Sequence, residues 1–213
     1  MTQLKTKNSK LKTASPLGVV ILGAGASSRM GKPKLLLPWR GTTVIGHLLA
    51  RWQELGATQI AIVQRADDSA LAAELDRLNC PKSNRIENPQ PERGMFSSIV
   101  CAANWCGWQK EISSWAMVLG DQPHLRSETL RRLREFSAQN KEAICQPMFG
   151  GRAGHPVILP RPAFVELKSS GAATLKEYLE LTMLPRVQCP VADPGLLLDM
   201  DTPKDYNRLQ DFH

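Results

Sequence analysis

A glycine-rich loop with basic side chains follows the first apolar stretch of the sequence. The run GVVIL is followed by GAGASSRMGKPK, which contains Gly23, Gly25, Arg29 and Lys34. Glycines let backbone N–H groups come close to a phosphate or a base, and arginine and lysine side chains neutralise phosphate charge. The loop therefore predicts a polyphosphate site, although a solvated surface loop would have the same composition.

Two phosphate-binding motifs come close to this loop and do not fit it. The dinucleotide fingerprint requires a third glycine where the chain has Ser28, and an acidic residue at the end of the second strand, where Gln64 and Arg65 stand. The P-loop requires serine or threonine after Gly-Lys, and this chain has GKP there. The loop therefore indicates phosphate binding of another kind.

Three aspartates stand near the ends of two other apolar runs. Asp121 follows WAMVLG, while Asp199 and Asp201 lie within and just after LLLDM. A carboxylate at the end of a buried strand can bind a nucleotide-bound Mg²⁺, and two adjacent carboxylates require a cation or donors between them. The alternatives are that Asp121 caps the next turn and that Asp201 opens the last helix. Together with the basic loop, these aspartates predict a nucleoside triphosphate site that holds Mg²⁺.

Alternating apolar runs and amphipathic segments must position these residues. The predicted strands are GVVIL, QIAIV, WAMVL, AICQP, PVILP, RVQCPV and LLLDM. The predicted helices are TVIGHLLARWQELG, DDSALAAELDRL, GMFSSIVCAANW, SETLRRLREFSAQN, two segments around Phe164 and Tyr178, and TPKDYNRLQDF. This alternation predicts an α/β fold with a mainly parallel sheet. Ligands of such sheets lie at the carboxyl ends of the strands, where the loop and the aspartates would meet.

Composition and charge argue against several classes of protein. The chain has 213 residues and a formal net charge of +7. Four of these charges lie in residues 1–16, which we predict to be a disordered basic tail preceding a single domain at 17–213. The mildly basic remainder has no basic face interleaved with aromatics, which argues against a nucleic-acid partner. No apolar run suits a bilayer span or a secretory signal, so we expect a cytoplasmic protein without a membrane partner.

The ordered motifs of the chain resemble those of the MobA-like nucleotidyltransferases. LGAGASSRMGKPKLLLP is similar to the LAAG-x-S-x-RMG-x-x-K-x-LLP signature of that family, and is closest to the molybdenum cofactor cytidylyltransferases. The resemblance continues through GMFSSI, LGDQP, GHPVIL and DMDTPKD. It implies a Rossmann-like three-layer sandwich of the nucleotide-diphospho-sugar transferase type. It also implies an Mg²⁺-dependent enzyme that transfers CMP from CTP to the terminal phosphate of molybdopterin or Mo-molybdopterin, releasing pyrophosphate.

The resemblance also assigns roles to individual residues. The residues whose backbone would hold the base are Leu22, Gly23, Ala24 and Gly25. Arg29 and Lys34 would hold the triphosphate and act in catalysis with Asp121, and Ser98 would touch the nucleotide. Asp121 would bind Mg²⁺, with Asp199 or Asp201 as the second carboxylate. His155 would lie on the acceptor side.

The choice of nucleotide rests on the first loop. The guanylyl branch of the family typically has LAGG and GG-x-DK, where this chain has LGAG and GKPK. A methyl group at Ala24 takes volume that a purine would need, whereas Gly23 would return some space beside the same pocket. We therefore expect CTP to be preferred over GTP.

Other functions remain open at this stage. They are a GTP-using molybdopterin guanylyltransferase, a sugar-1-phosphate nucleotidyltransferase, and a non-catalytic nucleotide-binding accessory protein for molybdoenzyme maturation. A molybdoenzyme or its chaperone is a possible protein partner.

Overall fold

The computed structural model describes residues 15–25 and 30–212. The predicted basic tail lies outside the described residues except for Ser15 and Pro16, and so does the predicted phosphate ligand Arg29. Within the described ranges, none of the helices combines the length and the apolar character that crossing a membrane would require.

A mainly parallel sheet forms the centre of the described structure. Its strands are β1 (Leu17–Leu22), β4 (Gln59–Arg65), β5 (Arg85–Asn88), β6 (Ser114–Leu119), β7 (Ile144–Phe149), β8 (Arg152–Ala153), β9 (Val157–Pro160) and β10 (Arg186–Pro190). The spatial order is β10-β7-β9-β6-β1-β4-β5, with β8 paired to β7. Strands β8 and β9 run antiparallel to their neighbours. The short strands β2 (Pro38–Trp39) and β3 (Thr42–Thr43) form a separate hairpin.

Helices pack on both faces of the sheet. One face carries α1 (Val44–Glu54), α2 (Ser69–Arg77), α4 (Ser127–Gln139) and α7 (Pro203–Gln210), whose buried side chains share one apolar cluster. The other face carries α3 (Met95–Asn104), α5 (Arg161–Glu166) and α6 (Leu175–Leu181), which share the second cluster. This three-layer α/β arrangement confirms the predicted fold class.

Local sequence explains where several helices begin. The Asp68 side chain accepts a hydrogen bond from the Leu71 N–H and so caps α2, as predicted. Thr202 and Asp205 form the predicted capping box at α7. These side chains satisfy backbone donors that the first helical turn leaves without a partner.

The prediction that LLLDM forms the last strand is wrong. Its first two residues belong to a 3₁₀ turn, Pro194–Leu197, and the following backbone is irregular. The turn forms because the Asp193 side chain accepts from the Gly195 N–H with Pro194 at the first position. The Met200 N–H then donates to the Asp121 carbonyl oxygen instead of entering a strand ladder.

The sequence also failed to indicate β5 and the β2–β3 hairpin. Strand β5 has the sequence RIEN, in which Ile86 is the one apolar residue, and two-residue strands leave no periodic pattern.

Candidate active site

A cavity of about 350 Å³ lies at the carboxyl edge of the sheet, beside the ends of β1 and β6. These ends are neighbours, since Leu22 is paired with Leu119 in the parallel register. Residues 22–25 line the cavity, together with Lys34, Ser98 and Asp121. The predicted nucleotide-binding residues within the described part of the chain therefore lie around one cavity. Because the cavity combines bare loop backbone with charged side chains, it suits an anionic ligand that carries a base.

Lys34 links two carboxylates at this edge. It begins a short 3₁₀ turn, Lys34–Leu36, and its Nζ donates to Asp201 Oδ1 at 2.7 Å. The same Nζ lies 3.5 Å from Asp121 Oδ2. The Lys34 side chain is 15% exposed, and the two aspartate side chains are 27% and 28% exposed. This shielding from water strengthens the attraction relative to that of an exposed ion pair.

Asp121 keeps one carboxylate oxygen available. Oδ1 is buried and accepts no hydrogen bond from the described part of the chain. Burial raises the pKa of the Asp121 carboxyl; the Lys34 ammonium opposes this rise, and the Asp199 and Asp201 carboxylates add to it. A cation at Oδ1 would favour the ionised form of this carboxylate.

Asp199 and Asp201, the two residues predicted as the second carboxylate, lie in the segment before α7 and have different hydrogen-bond partners. The hydrogen bond from the Met200 N–H to the Asp121 carbonyl, at 3.1 Å, fixes this segment beside the loop after β6. Asp201 reaches Lys34, whereas Asp199 Oδ1 accepts a hydrogen bond from Gln122 Nε2 at 2.9 Å. Lys34 thus joins Asp201 to Asp121, while Asp199 is bound by Gln122, and both carboxylates still contribute to the raised pKa of Asp121.

The metal site remains a prediction. Across residues 15–25 and 30–212, no group of three or more His, Cys, Asp or Glu side chains could hold a metal ion. Asp121 and Asp201 nevertheless fit Mg²⁺, because this ion commonly binds through one or two carboxylates and completes its shell with substrate phosphates and water.

Sequence reasoning missed several residues that support or surround Ser98, which lines the cavity. Asn88, the buried last residue of β5, donates from Nδ2 to Ser98 Oγ at 3.0 Å and to Ser97 Oγ at 2.8 Å. Its Oδ1 accepts from the Gln90 N–H, which fixes the loop that leads to α3. Gly94 and Met95 also line the cavity. The GMFSSI motif contains Gly94, Met95 and Ser97 as well as the predicted Ser98, whereas no motif indicated Asn88.

His155 is not among the residues that line the cavity. It lies just before β9 and is partly buried, and its Nδ1 is 3.4 Å from the Met117 carbonyl oxygen. Burial lowers the pKa of His155. The predicted role of His155 on the acceptor side stays a prediction.

Gly23 does not leave the space that was expected. A Cβ added to Gly23 would lie 2.9 Å from Leu35 Cδ1 and 3.0 Å from the Val63 carbonyl oxygen. The Gly23 N–H donates to that same carbonyl. The room above Gly23 is therefore filled by protein and is not available to a larger base.

The sequence matches the family described as "MobA-like NTP transferase domain" over residues 19–186. It is 25% identical over 195 residues to the molybdenum cofactor cytidylyltransferase of Escherichia coli (strain K12), covering 90% of this chain and 94% of that protein. It is also 29% identical over 202 residues to the nicotine blue oxidoreductase of Paenarthrobacter nicotinovorans, covering 89% and 94%. These two relatives are named for different reactions.

Solved structures agree with this fold. Rv0371c from Mycobacterium tuberculosis H37Rv superposes with a TM-score of 0.70 at 27% identity, covering 93% of this chain and all of that chain. A manganese complex of the same protein superposes with a TM-score of 0.64 at 25% identity, covering 92% and 98%.

Proposed function

The chain belongs to the MobA-like NTP transferase family, and we propose from this membership that it transfers CMP from CTP to the terminal phosphate of a molybdopterin-type acceptor. Nucleotidyl transfer is the reaction class of the family. The choice of CTP and molybdopterin is supported by the name of the Escherichia coli relative, which aligns with 90% of this chain.

The observation that carries the proposal is the placement of Lys34. It lines the glycine-loop cavity and lies between Asp121 and Asp201 at its edge. A triphosphate whose base occupies residues 22–25 would have its phosphates at this ammonium group. Lys34 would then neutralise charge that moves onto the departing pyrophosphate.

The proposed reaction does not require a general base in the protein. An oxygen of the acceptor phosphate attacks the α-phosphorus of CTP and forms a new P–O bond. The bond from the α-phosphorus to the oxygen that bridges to the β-phosphorus breaks, and pyrophosphate leaves with its electron pair. A phosphate oxygen is already anionic at neutral pH, so the protein mainly has to bring two polyanions together and hold them in line.

A divalent cation fits the residues of this edge. Asp121 Oδ1 is buried without a hydrogen bond from the described residues, and Asp201 presents a second carboxylate nearby. We assign Mg²⁺ to Asp121 and Asp201, and the manganese complex of the related Rv0371c supports a divalent ion in the family. When bound, the ion supplies positive charge that offsets the phosphates of both substrates.

The preference for CTP rests on the floor of the cavity. Ala24 is buried and lines the cavity, and Leu35 and the Val63 carbonyl fill the space above Gly23. Both features favour a pyrimidine over the larger purine. Buried donors and acceptors that match one base discriminate strongly against another.

The test is a pyrophosphate-release screen of CTP, GTP, ATP and UTP with Mg²⁺, with and without molybdopterin, and with Asp121→Asn as the inactive control. We expect release from CTP that depends on molybdopterin and exceeds the release from GTP. Equal turnover of GTP would refute the cytidylyl assignment. Turnover with a sugar 1-phosphate in place of molybdopterin would reassign the acceptor, and no release from any triphosphate would favour the non-catalytic accessory protein. If CMP transfer is observed, a molybdoenzyme or its chaperone is the partner to test for delivery of the product.

A further inference from the structure

The side chain of Leu35 fills a gap between two glycines at the strand ends. A Cβ on Gly120 would lie 2.8 Å from Leu35 Cδ2, and a Cβ on Gly23 would lie 2.9 Å from Leu35 Cδ1. Gly23 follows β1 and Gly120 follows β6, which are adjacent strands. The two methyl groups of one leucine therefore occupy the positions that side chains at both glycines would need.

Space is the reason for glycine at these two positions. Positive φ angles occur at other glycines of the described chain, but not at Gly23 or Gly120. Any residue could adopt their backbone conformation, whereas an added Cβ would collide with Leu35. Leu35 is 7% exposed and belongs to the apolar cluster that also contains the α1 side chains, so it has little room to retreat.

The contact between Leu35 and Gly120 lies directly beside the ion-pair triad formed by Lys34, Asp121 and Asp201. Leu35 is next to Lys34 on the 3₁₀ turn, and Gly120 is next to Asp121. Contact between Leu35 and Gly120 therefore fixes the distance between the two backbones that carry the ammonium group and the carboxylate. Holding the lysine side chain in one geometry costs rotamer entropy in any case, and an anchored backbone removes the further cost of ordering the turn that carries it.

We infer that Leu35 is a positioning residue, which locks into the space above Gly23 and Gly120 and holds Lys34 against Asp121 and Asp201. The kinetic part of this inference rests on the proposed function. The positional part does not, because the place of Lys34 affects how the two carboxylates bind a cation even when no nucleotide is present.

The first experiment is a Mn²⁺ titration of the nucleotide-free protein, with free Mn²⁺ measured by electron paramagnetic resonance. Lys34→Met removes the competing ammonium and should lower the Kd for Mn²⁺ about tenfold. Leu35→Ala should shift the Kd in the same direction, because Lys34 is no longer held at the carboxylates. Leu36→Ala is the matched control, since Leu36 is partly buried on the same turn and is not among the nearest neighbours of a Cβ at either glycine. A Kd for Leu35→Ala equal to that of Leu36→Ala or wild type would overturn the inference.

The second experiment uses compensating changes in volume. Gly120→Ala should lower kcat for nucleotidyl transfer about tenfold by displacing Leu35. Adding Leu35→Val, which shortens the side chain by one carbon and leaves no atom at the Cδ positions, should recover most of that loss. If kcat of the double variant were no higher than that of Gly120→Ala, the proposed positioning role of Leu35 would be contradicted. If wild type turns over none of the four triphosphates, the proposed function has failed, and the Mn²⁺ titration still decides the position of Lys34.

Discussion

The strength of the Lys34 triad comes from shielding as well as from charge. An exposed lysine–aspartate pair contributes about 0–1 kcal/mol, because water and salt screen it. Lys34 is 15% exposed and faces two carboxylates at 2.7 and 3.5 Å. Two carboxylates beside one ammonium group suit a further cation and then a metal-bound triphosphate.

Asp121→Asn should lower kcat at least about 100-fold through loss of the proposed Mg²⁺ ligand, without loss of fold. Burial raises the pKa of Asp121, so the charged form is disfavoured in the folded state and a neutral amide removes that cost. We therefore expect a melting temperature no lower than that of wild type.

Asp201→Asn should lower kcat about as much as Asp121→Asn does, whereas Asp199→Asn should lose less activity because Asp199 is hydrogen-bonded to Gln122. A larger loss in Asp199→Asn than in Asp201→Asn would exchange the two assignments.

Lys34→Ala should remove about 2–3 kcal/mol of transition-state stabilisation, as expected for loss of a charge contact. This loss corresponds to a decrease in kcat/KM of about 30- to 150-fold. Lys32→Ala is the control, because Lys32 is exposed and is not among the residues that line the cavity. Steady-state kinetics with CTP would measure both variants. If Lys32→Ala were the more damaging change, Lys32 and not Lys34 would be the phosphate ligand.

At the scale of elements, buried polar groups hold the loop that follows β6. Arg51 of α1 donates from Nη1 to the carbonyl oxygens of Pro123 and Leu125. His124 Nε2 pairs with the Gly195 carbonyl at 3.0 Å, which ties this loop to the 3₁₀ turn before α7. Buried hydrogen bonds of this kind favour one arrangement, because each partner that moves leaves a polar group unsatisfied. The loop that carries Asp121 is thus supported from two sides.

Asp193→Ala should lower the free energy of unfolding by about 3 kcal/mol, because a fully buried carboxylate with three donors would be lost. Asp193 Oδ2 accepts from the Arg126 N–H and from Thr129 Oγ1, and Oδ1 accepts from the Gly195 N–H. Thr129→Val, which removes one of these donors, should cost about 1 kcal/mol. Urea unfolding would compare the two. Equal costs would mean that Asp193 contributes little beyond its bond to Thr129.

At the scale of the whole molecule, stability should depend on pH through histidines that the fold keeps neutral. Burial, aided by the charges of Arg51 and Arg40, lowers the pKa of His47 to about 4. Burial also lowers the pKa of His124 and of His155. Between about pH 6.5 and 4 the unfolded chain binds a proton at His47 that the folded chain does not bind, so stability falls as the pH falls through this window.

His47→Gln should flatten this decline. The full shift corresponds to about 3 kcal/mol, which we reduce to about 1–2 kcal/mol because the side chain is only partly buried. Between pH 7 and 4.5, wild type should therefore lose about 1–2 kcal/mol more free energy of unfolding than the variant, as measured by urea unfolding at each pH. Parallel pH curves for the two proteins would show that His47 does not contribute.

The sequence determined the fold class and the edge at which the site lies. Apolar runs and helical periodicity are local, and they predicted β1, β4, β6 and most helices correctly. Because the carboxyl ends of parallel strands share one edge, the glycine loop and Asp121 were expected at one place, and they line the same cavity.

Tertiary structure decided which of those residues meet. Lys34 contacts Asp201 across 167 positions, and Gln122 selects Asp199 across 77. The run LLLDM reads as a strand, yet it lies in a turn and irregular backbone because its Met200 N–H bonds to the Asp121 carbonyl. Likewise, only the packing shows that Leu35 and the Val63 carbonyl oxygen occupy the space that a side chain at Gly23 would need. Such contacts depend on long-range packing, which leaves no periodic pattern in the sequence.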